Sequence, residues 1–323
     1  MRRKIRIIFA GIVLLAGFLI FSWSDIYRMK VSLDNKKKIE AYQKIYGSAE
    51  NKGKETKEDV QKEKEDTVDK NLHVMKNEEL YQAMQSYNQK IYKNGQADLT
   101  DPWAYEAESM DLSEYGVKDS MVAVLSIPKM KVTLPVYLGA TKEKMAKGAV
   151  MLGETSFPIE GTNSNCVIAA HRGWKGIPMF RDIEALEVGD IMTVQNCKET
   201  LTYQVTNLKV IMPDDSEYIM IQPGKNKLTL ITCHPYRQHT RRYLVYCELS
   251  GKNSKKDSSQ AAEEDKEKIN ASEKVRKLAI KEDGKQIELD TTWRKVVYIL
   301  MGVISVCIVT GYLVRRKREH KKR

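Results

Sequence analysis

Between Met121 and Leu249 the chain is cut into short apolar runs bounded by Pro, Gly and Asn. They are "MVAVLSIP", "KVTLPVYLG", "CVIAAH", "DIMTVQ", "LTYQVTNLKVIM", "LTLITC" and "RRYLVYCEL". Short β-branched runs separated by turn formers predict the strands of an all-β sandwich or barrel. Asn196 to Thr200 reads as a hairpin loop between two of them. No internal repeat is present, and the length of 323 residues suits one folded domain with attachments.

The attachments are legible at both ends. Ile7 to Trp23 is almost wholly apolar, and about 17 residues in a helix reach roughly 26 Å, enough to cross a bilayer core. Val296 to Val314, "VVYILMGVISVCIVTGYLV", is a second such stretch. Arg2, Arg3, Lys4 and Arg6 precede the first, and "RRKREHKKR" follows the second. The positive-inside rule then puts both termini in the cytoplasm and everything between them outside. The first segment could instead be a cleaved signal peptide, but "FSWSDIYR" lacks a small-x-small cleavage site, so retention as an anchor is expected. The formal charge of +11 is concentrated in these two ends, which leaves the middle near neutral. The basic character therefore serves membrane orientation, and a nucleic-acid partner is not expected.

From Glu50 to Lys70 and from Lys252 to Lys285 the composition is charged and poor in aliphatic residues. Such segments bury too little apolar surface to offset their ordering entropy and read as solvated tethers or marginal charged helices. Leu80, Met84, Tyr87 and Ile91 recur at helical spacing, with Asn77 able to cap the start and Asn94-Gly95 able to close the end. Pro102 in "LTDPWAY" stops any helix there.

The run "TLITC" ends an apolar strand on a thiol, Cys233. A thiolate is the nucleophilic form of cysteine, and a neighbouring cation favours it. A short loop containing Pro235 joins this strand to the one that opens with Arg241-Arg242, so antiparallel return makes Cys233 and Arg242 cross-strand neighbours. Arginine stays charged and can hydrogen-bond a developing oxyanion. His171 ends another apolar strand, where a loop must begin, and could serve as the acid/base. His73, His234, His239 and His320 compete with it, as Arg241 competes with Arg242. Taken singly, each residue is as easily a core thiol or a surface imidazole. There is no CxxC and no histidine cluster with metal-ligand spacing, so a zinc site is not expected, and a disulfide among Cys166, Cys197 and Cys247 stays open.

Three segments resemble one family. "TLITC" is similar to the TLxTC signature of sortases, the cysteine transpeptidases of Gram-positive cell surfaces. "HRGW" resembles the segment around their histidine, and "HTRRYLV" the segment around their arginine. The motifs occur in the family's order, and the resemblance covers roughly Leu72 to Leu249. It implies Cys233 as nucleophile, His171 as general acid/base and Arg242 as the substrate and oxyanion contact. "TDPWAY" resembles the lid of class C, pilin-polymerising sortases, which implies a lid of Asp101, Pro102 and Trp103. Ala170 before the histidine, and His234, Arg237 and His239 after the cysteine, depart from the commoner residues.

The resemblance implies a mainly β fold, a closed sortase-type β-barrel with short helices. An N-terminal helix and lid precede it, and two transmembrane helices flank it. The expected organisation is a membrane anchor or signal segment at 1–25, a charged tether at 26–71 and the helix and lid at 72–111. The catalytic barrel follows at 112–250, a second charged tether at 251–292, and a transmembrane helix with basic tail at 293–323. The implied reaction cleaves an LPxTG-like motif between Thr and Gly through a thioester and joins it to a lysine of a pilin subunit, with no cofactor or metal. A housekeeping sortase acting on cell-wall peptide is the nearest alternative, and a non-enzymatic tethered adhesin the more distant one.

Overall fold

The computed structural model describes residues 2–46, 63–96, 99, 109–250 and 259–320. For parts of the helices, among them 2–10, 63–74, 259–265 and 312–320, only the backbone is described. The strands are β1 (Met121–Ile127), β2 (Val132–Leu138), β3 (Ala149–Met151), β4 (Ser164–Ala169), β5 (Ile191–Gln195), β6 (Thr200–Ile211), β7 (Asn226–His234) and β8 (Arg241–Leu249). They close into a barrel in the order β1-β2-β3-β4-β7-β8-β6-β5. Pairing is parallel between β2 and β3 and between β4 and β7, and antiparallel elsewhere. The apolar runs thus form a closed barrel, whose closure leaves no edge to template aggregation. β3 was not anticipated, because three residues are too few for an alternating pattern to show.

Alternation along the strands sorts the side chains into two clusters. One gathers residues from all eight strands, including Leu125, Val136, Met151, Ile168, Val194, Tyr203, Leu230 and Val245, and is therefore the barrel interior. The other holds Val124, Tyr137, Val150, Val167, Ala169, Ile231 and Leu244, which face outward and are covered by Tyr42 and Leu99. Strands with both faces buried show nearly continuous apolar sequence, as "CVIAA" and "LTLITC" do.

Helices α1 (Arg2–Tyr46), α2 (Glu63–Asn94), α3 (Lys142–Met145) and α4 (Ser259–His320) complete the chain. On α2, Leu80, Met84 and Ile91 are buried, as their spacing predicts. Asn88 exchanges two hydrogen bonds with the backbone of Phe157, at 3.0 and 2.8 Å. Asn77 does not cap this helix. The helix begins at Glu63, and the carbonyl of Asn77 accepts from the Cys197 thiol. Gly95, at φ 79°, closes the other end, in the left-handed region that glycine occupies without strain.

The compact unit Tyr27–Ala279 holds the barrel together with parts of the segments expected to be tethers. On α1, Val31 and Tyr42 are buried, Asn35 donates to the Lys147 carbonyl at 2.6 Å, and Tyr42 donates to the Val122 carbonyl at 2.8 Å. On α4, Ser272 and Ala279 are buried, and Arg276 pairs with Glu187 at 2.7 Å. These segments are docked helix where a solvated tether or a marginal charged helix was expected. Val31, Asn35, Ile39, Tyr42 and Tyr46 recur at intervals of three and four, a stripe that a charged average composition conceals.

The other unit, Met1–Ile26 with Ile280–Arg323, consists of the helix ends. Within it the Tyr298 ring meets Phe18 edge-on at 6.5 Å, and its hydroxyl hydrogen-bonds Asp25. Among the described residues no helix is long and apolar enough to cross a membrane. Both apolar stretches read in the sequence include side chains outside the described set.

Candidate active site

Three neighbouring strands converge at one end of the barrel. β7 and β8 pair with Cys233 opposite Arg242 and His234 opposite Arg241. β4 and β7 run in parallel register from Ser164 beside Asn226 to Ala169 beside Ile231. His171 lies two residues past Ala169, where β4 ends, and Cys233 lies two residues past Ile231 on β7. Ile231 and Leu244 belong to the outward cluster, so Cys233 and Arg242, each two positions away along its strand, share that face. Arg241 and His234 take the opposite one. His234 is 1% exposed and its Nδ1 lies 3.0 Å from Nη1 of Arg172. The structure thus sets Cys233 opposite Arg242 on one face and places the competing Arg241 and His234 on the other.

The turn after β4 shapes the histidine. Gly173 adopts φ 85°, where a larger residue would be strained. The chain then doubles back through paired hydrogen bonds between Trp174 and Ile177, at 2.9 and 2.8 Å. This returns the Trp174 ring onto His171, with centroids 4.5 Å apart and planes 12° from parallel. Burial, and secondarily the nearby His239, push the His171 pKa down from its ordinary value to about 4. The ring is therefore neutral at neutral pH and able to accept a proton. Burial, then Arg242, lowers His239 as well. Arg242 is 5% exposed, and its Nη1 donates to the carbonyls of His239 and Arg241, each at 3.0 Å, which fixes the guanidinium plane.

A thiol opposite a fixed guanidinium, with a neutral imidazole just past the end of the neighbouring strand, suits nucleophilic acyl transfer, with the cation available to a developing oxyanion. Residues 125–250 match the family model for the Sortase domain. The chain carries a sortase domain. Sortases are cysteine transpeptidases, so the protein is an enzyme of that class. Sortase A of Bacillus anthracis is 28% identical over 177 residues, covering 54% of this chain and 81% of that protein. Among solved structures, the Streptococcus agalactiae sortase C1 complex with MTSET superposes with a TM-score of 0.51 at 26% identity, covering 56% of this chain and 93% of that one. Sortase C of Streptococcus pneumoniae gives 0.50 at 26% identity, covering 58% and 95%. Sortase A from Corynebacterium diphtheriae gives 0.51 at 25%, covering 56% and 86%.

The other thiols of the sortase barrel lack these surroundings. Cys166, Cys197 and Cys247 are buried with no disulfide among them. Burial raises the Cys166 and Cys247 pKa values and pushes Cys197 up to about 12, so all three stay protonated and inert. Among the described residues no group of three or more His, Cys, Asp or Glu could hold a metal ion. Asp101, Pro102 and Trp103 lie outside the described residues. The chain approaching them is anchored: Gln96 donates to the Glu154 carbonyl and accepts from the Ile221 amide, each at 2.6 Å, and Leu99 is buried in the outward cluster. Sequence reasoning noted Trp174 only as a motif letter. Its stacking on His171 depends on the turn at Gly173, and the Gly-Trp pair was the available signal.

Proposed function

We propose that this sortase is a membrane-anchored, class C enzyme that polymerises pilin subunits. The observation that supports the chemistry is Cys233 opposite Arg242 on β7 and β8, with His171 two residues past the end of β4, the strand parallel to β7. Cys233 Sγ attacks the Thr carbonyl carbon of an LPxTG-like motif while its proton passes to neutral His171. Arg242 donates to the oxygen as it becomes negative. The imidazolium then gives the proton to the departing Gly amine, and a thioester remains. A pilin lysine ε-amine attacks the thioester, its proton returns through His171 to the Cys233 sulfur, and an isopeptide bond is released. Every proton and electron pair is accounted for without metal or cofactor.

The pilin assignment is supported by likeness to a Streptococcus pneumoniae sortase C described in terms of pilin substrate specificity, and to a sortase C2 of a group B Streptococcus pilus island. It is supported also by the "TDPWAY" segment, read as a lid in which Trp103 covers Cys233 and Asp101 pairs with Arg242. Anchoring rests on the two apolar stretches and their basic flanks. The Tyr298 contacts with Phe18 and Asp25 suit two helices whose outer ends share one side of the bilayer, with the catalytic domain outside the cell. The likeness to two sortase A proteins favours a second reading, in which cell-wall peptide is the acceptor. The test supplies the full chain and an LPxTG-type donor peptide with either purified pilin or a wall-peptide amine. Conjugates to a pilin lysine support the first reading, and transfer to the wall peptide alone replaces it with the second.

A further inference from the structure

The parallel ladder between β4 and β7 stops just before the reacting residues. Its last backbone bond runs from the Ala170 amide to the Ile231 carbonyl at 3.3 Å, beside a bond from the Thr232 hydroxyl to the Ala170 carbonyl at 2.7 Å. In a continuing parallel ladder the Arg172 amide would bond the Cys233 carbonyl next. The Arg172 side chain reaches that carbonyl: its Nη1 donates to the Cys233 carbonyl at 3.3 Å and lies 3.0 Å from His234 Nδ1.

This guanidinium is inside the protein. Arg172 is 3% exposed and pairs with Glu184, itself 5% exposed, and it lies 5.7 Å from the centre of the Tyr243 ring. The Glu184 carbonyl accepts from Arg276 of α4 at 3.1 Å. A buried ion pair is a poor device for stability, since apolar residues of like volume do as well or better. What an apolar pair cannot do is hold a peptide carbonyl in a fixed direction.

The structure assigns to Arg172 the role of a positioning residue for transpeptidation. It ties the segment that follows β4 and carries His171 to the Cys233 carbonyl of β7, with Glu184 as its counter-ion and Arg276 as an outer brace. It acts by holding the nucleophile and the acid/base in place, and this inference rests on the active-site reading above.

The experiment measures cleavage of a fluorogenic LPxTG-type peptide by the full chain in detergent, with circular dichroism to follow the fold. Misplacement of a reacting group by about 1 Å can lower turnover about 10²-fold. Arg172→Met should therefore lower kcat by up to about that factor with KM little changed. Arg172→Lys, which can still reach a carbonyl, should recover part of the loss, and Glu184→Gln should lower kcat in the same direction. A folded Arg172→Met enzyme with normal kcat, or one altered in KM alone, overturns the proposal. If Arg172→Met does not fold, Glu184→Gln decides, and normal turnover there overturns it. Loss of cleavage in Cys233→Ala beside normal turnover in Arg172→Met removes the positioning role alone. Cleavage that survives in Cys233→Ala overturns the active-site reading and the positioning role with it.

Discussion

Burial holds His171 neutral well below the pH at which an unconstrained imidazole titrates. Ring resonances of His171 should titrate with a midpoint near pH 4, and a midpoint at or above the ordinary value of about 6.5 contradicts the assignment. The stability consequence has a definite sign. Between about 6.5 and about 4 the unfolded chain binds more protons at this site than the folded one, so folding weakens as pH falls through that window. His171→Gln should lose less stability on acidification across it than the unaltered protein, measured by denaturant unfolding. Arg242→Ala should lower turnover by about 10²-fold or more, the usual loss when an oxyanion donor is removed, while Arg241→Ala stays near normal. The reverse pattern would show that the other arginine serves the site. Cys233 and Arg242 were legible because a short loop and antiparallel return fix their register. Arg172 and Glu184 were not, because no local pattern reveals which distant carboxylate a buried arginine will meet.

Elements were legible in proportion to their periodicity. β1, β2 and β5 to β8 follow the apolar runs closely, whereas β3 is too short to show a period and the docked parts of α1 and α4 are diluted by charge. Docking predicts measurable stability. Met84→Ala on α2, at a fully buried position, should reduce unfolding free energy by about 2–5 kcal/mol. Tyr42→Phe on α1 strips the buried Val122 carbonyl of its donor and should cost about 1–3 kcal/mol, where a solvated tether would show no change. The proposed lid belongs to the same scale. An aromatic side chain buries about 150–250 Å², whereas an exposed ion pair contributes roughly 0–1 kcal/mol. Trp103→Ala should therefore speed thiol labelling of Cys233 more than Asp101→Ala does. Unchanged labelling in the double variant would reduce Asp101–Trp103 to a helix stop.

At the scale of the whole molecule, charge at the ends and neutrality between them set the expected orientation. External protease on intact protoplasts should reach the part of the chain between the two apolar stretches, and full protection of the chain would contradict that topology. The barrel explains why so small a set of residues can do the chemistry. Antiparallel register sets Cys233 opposite Arg242, and His171 follows the end of the strand that runs parallel to β7. The central claim is that Cys233 carries the acyl group. The most direct test is peptide mapping by mass spectrometry after the full chain meets an LPxTG-type peptide without an acceptor amine. A hydroxylamine-labile adduct on the peptide containing Cys233, with the mass of the donor up to its Thr, is the expected result. An adduct on another residue, or motif cleavage that persists in Cys233→Ala, would contradict it.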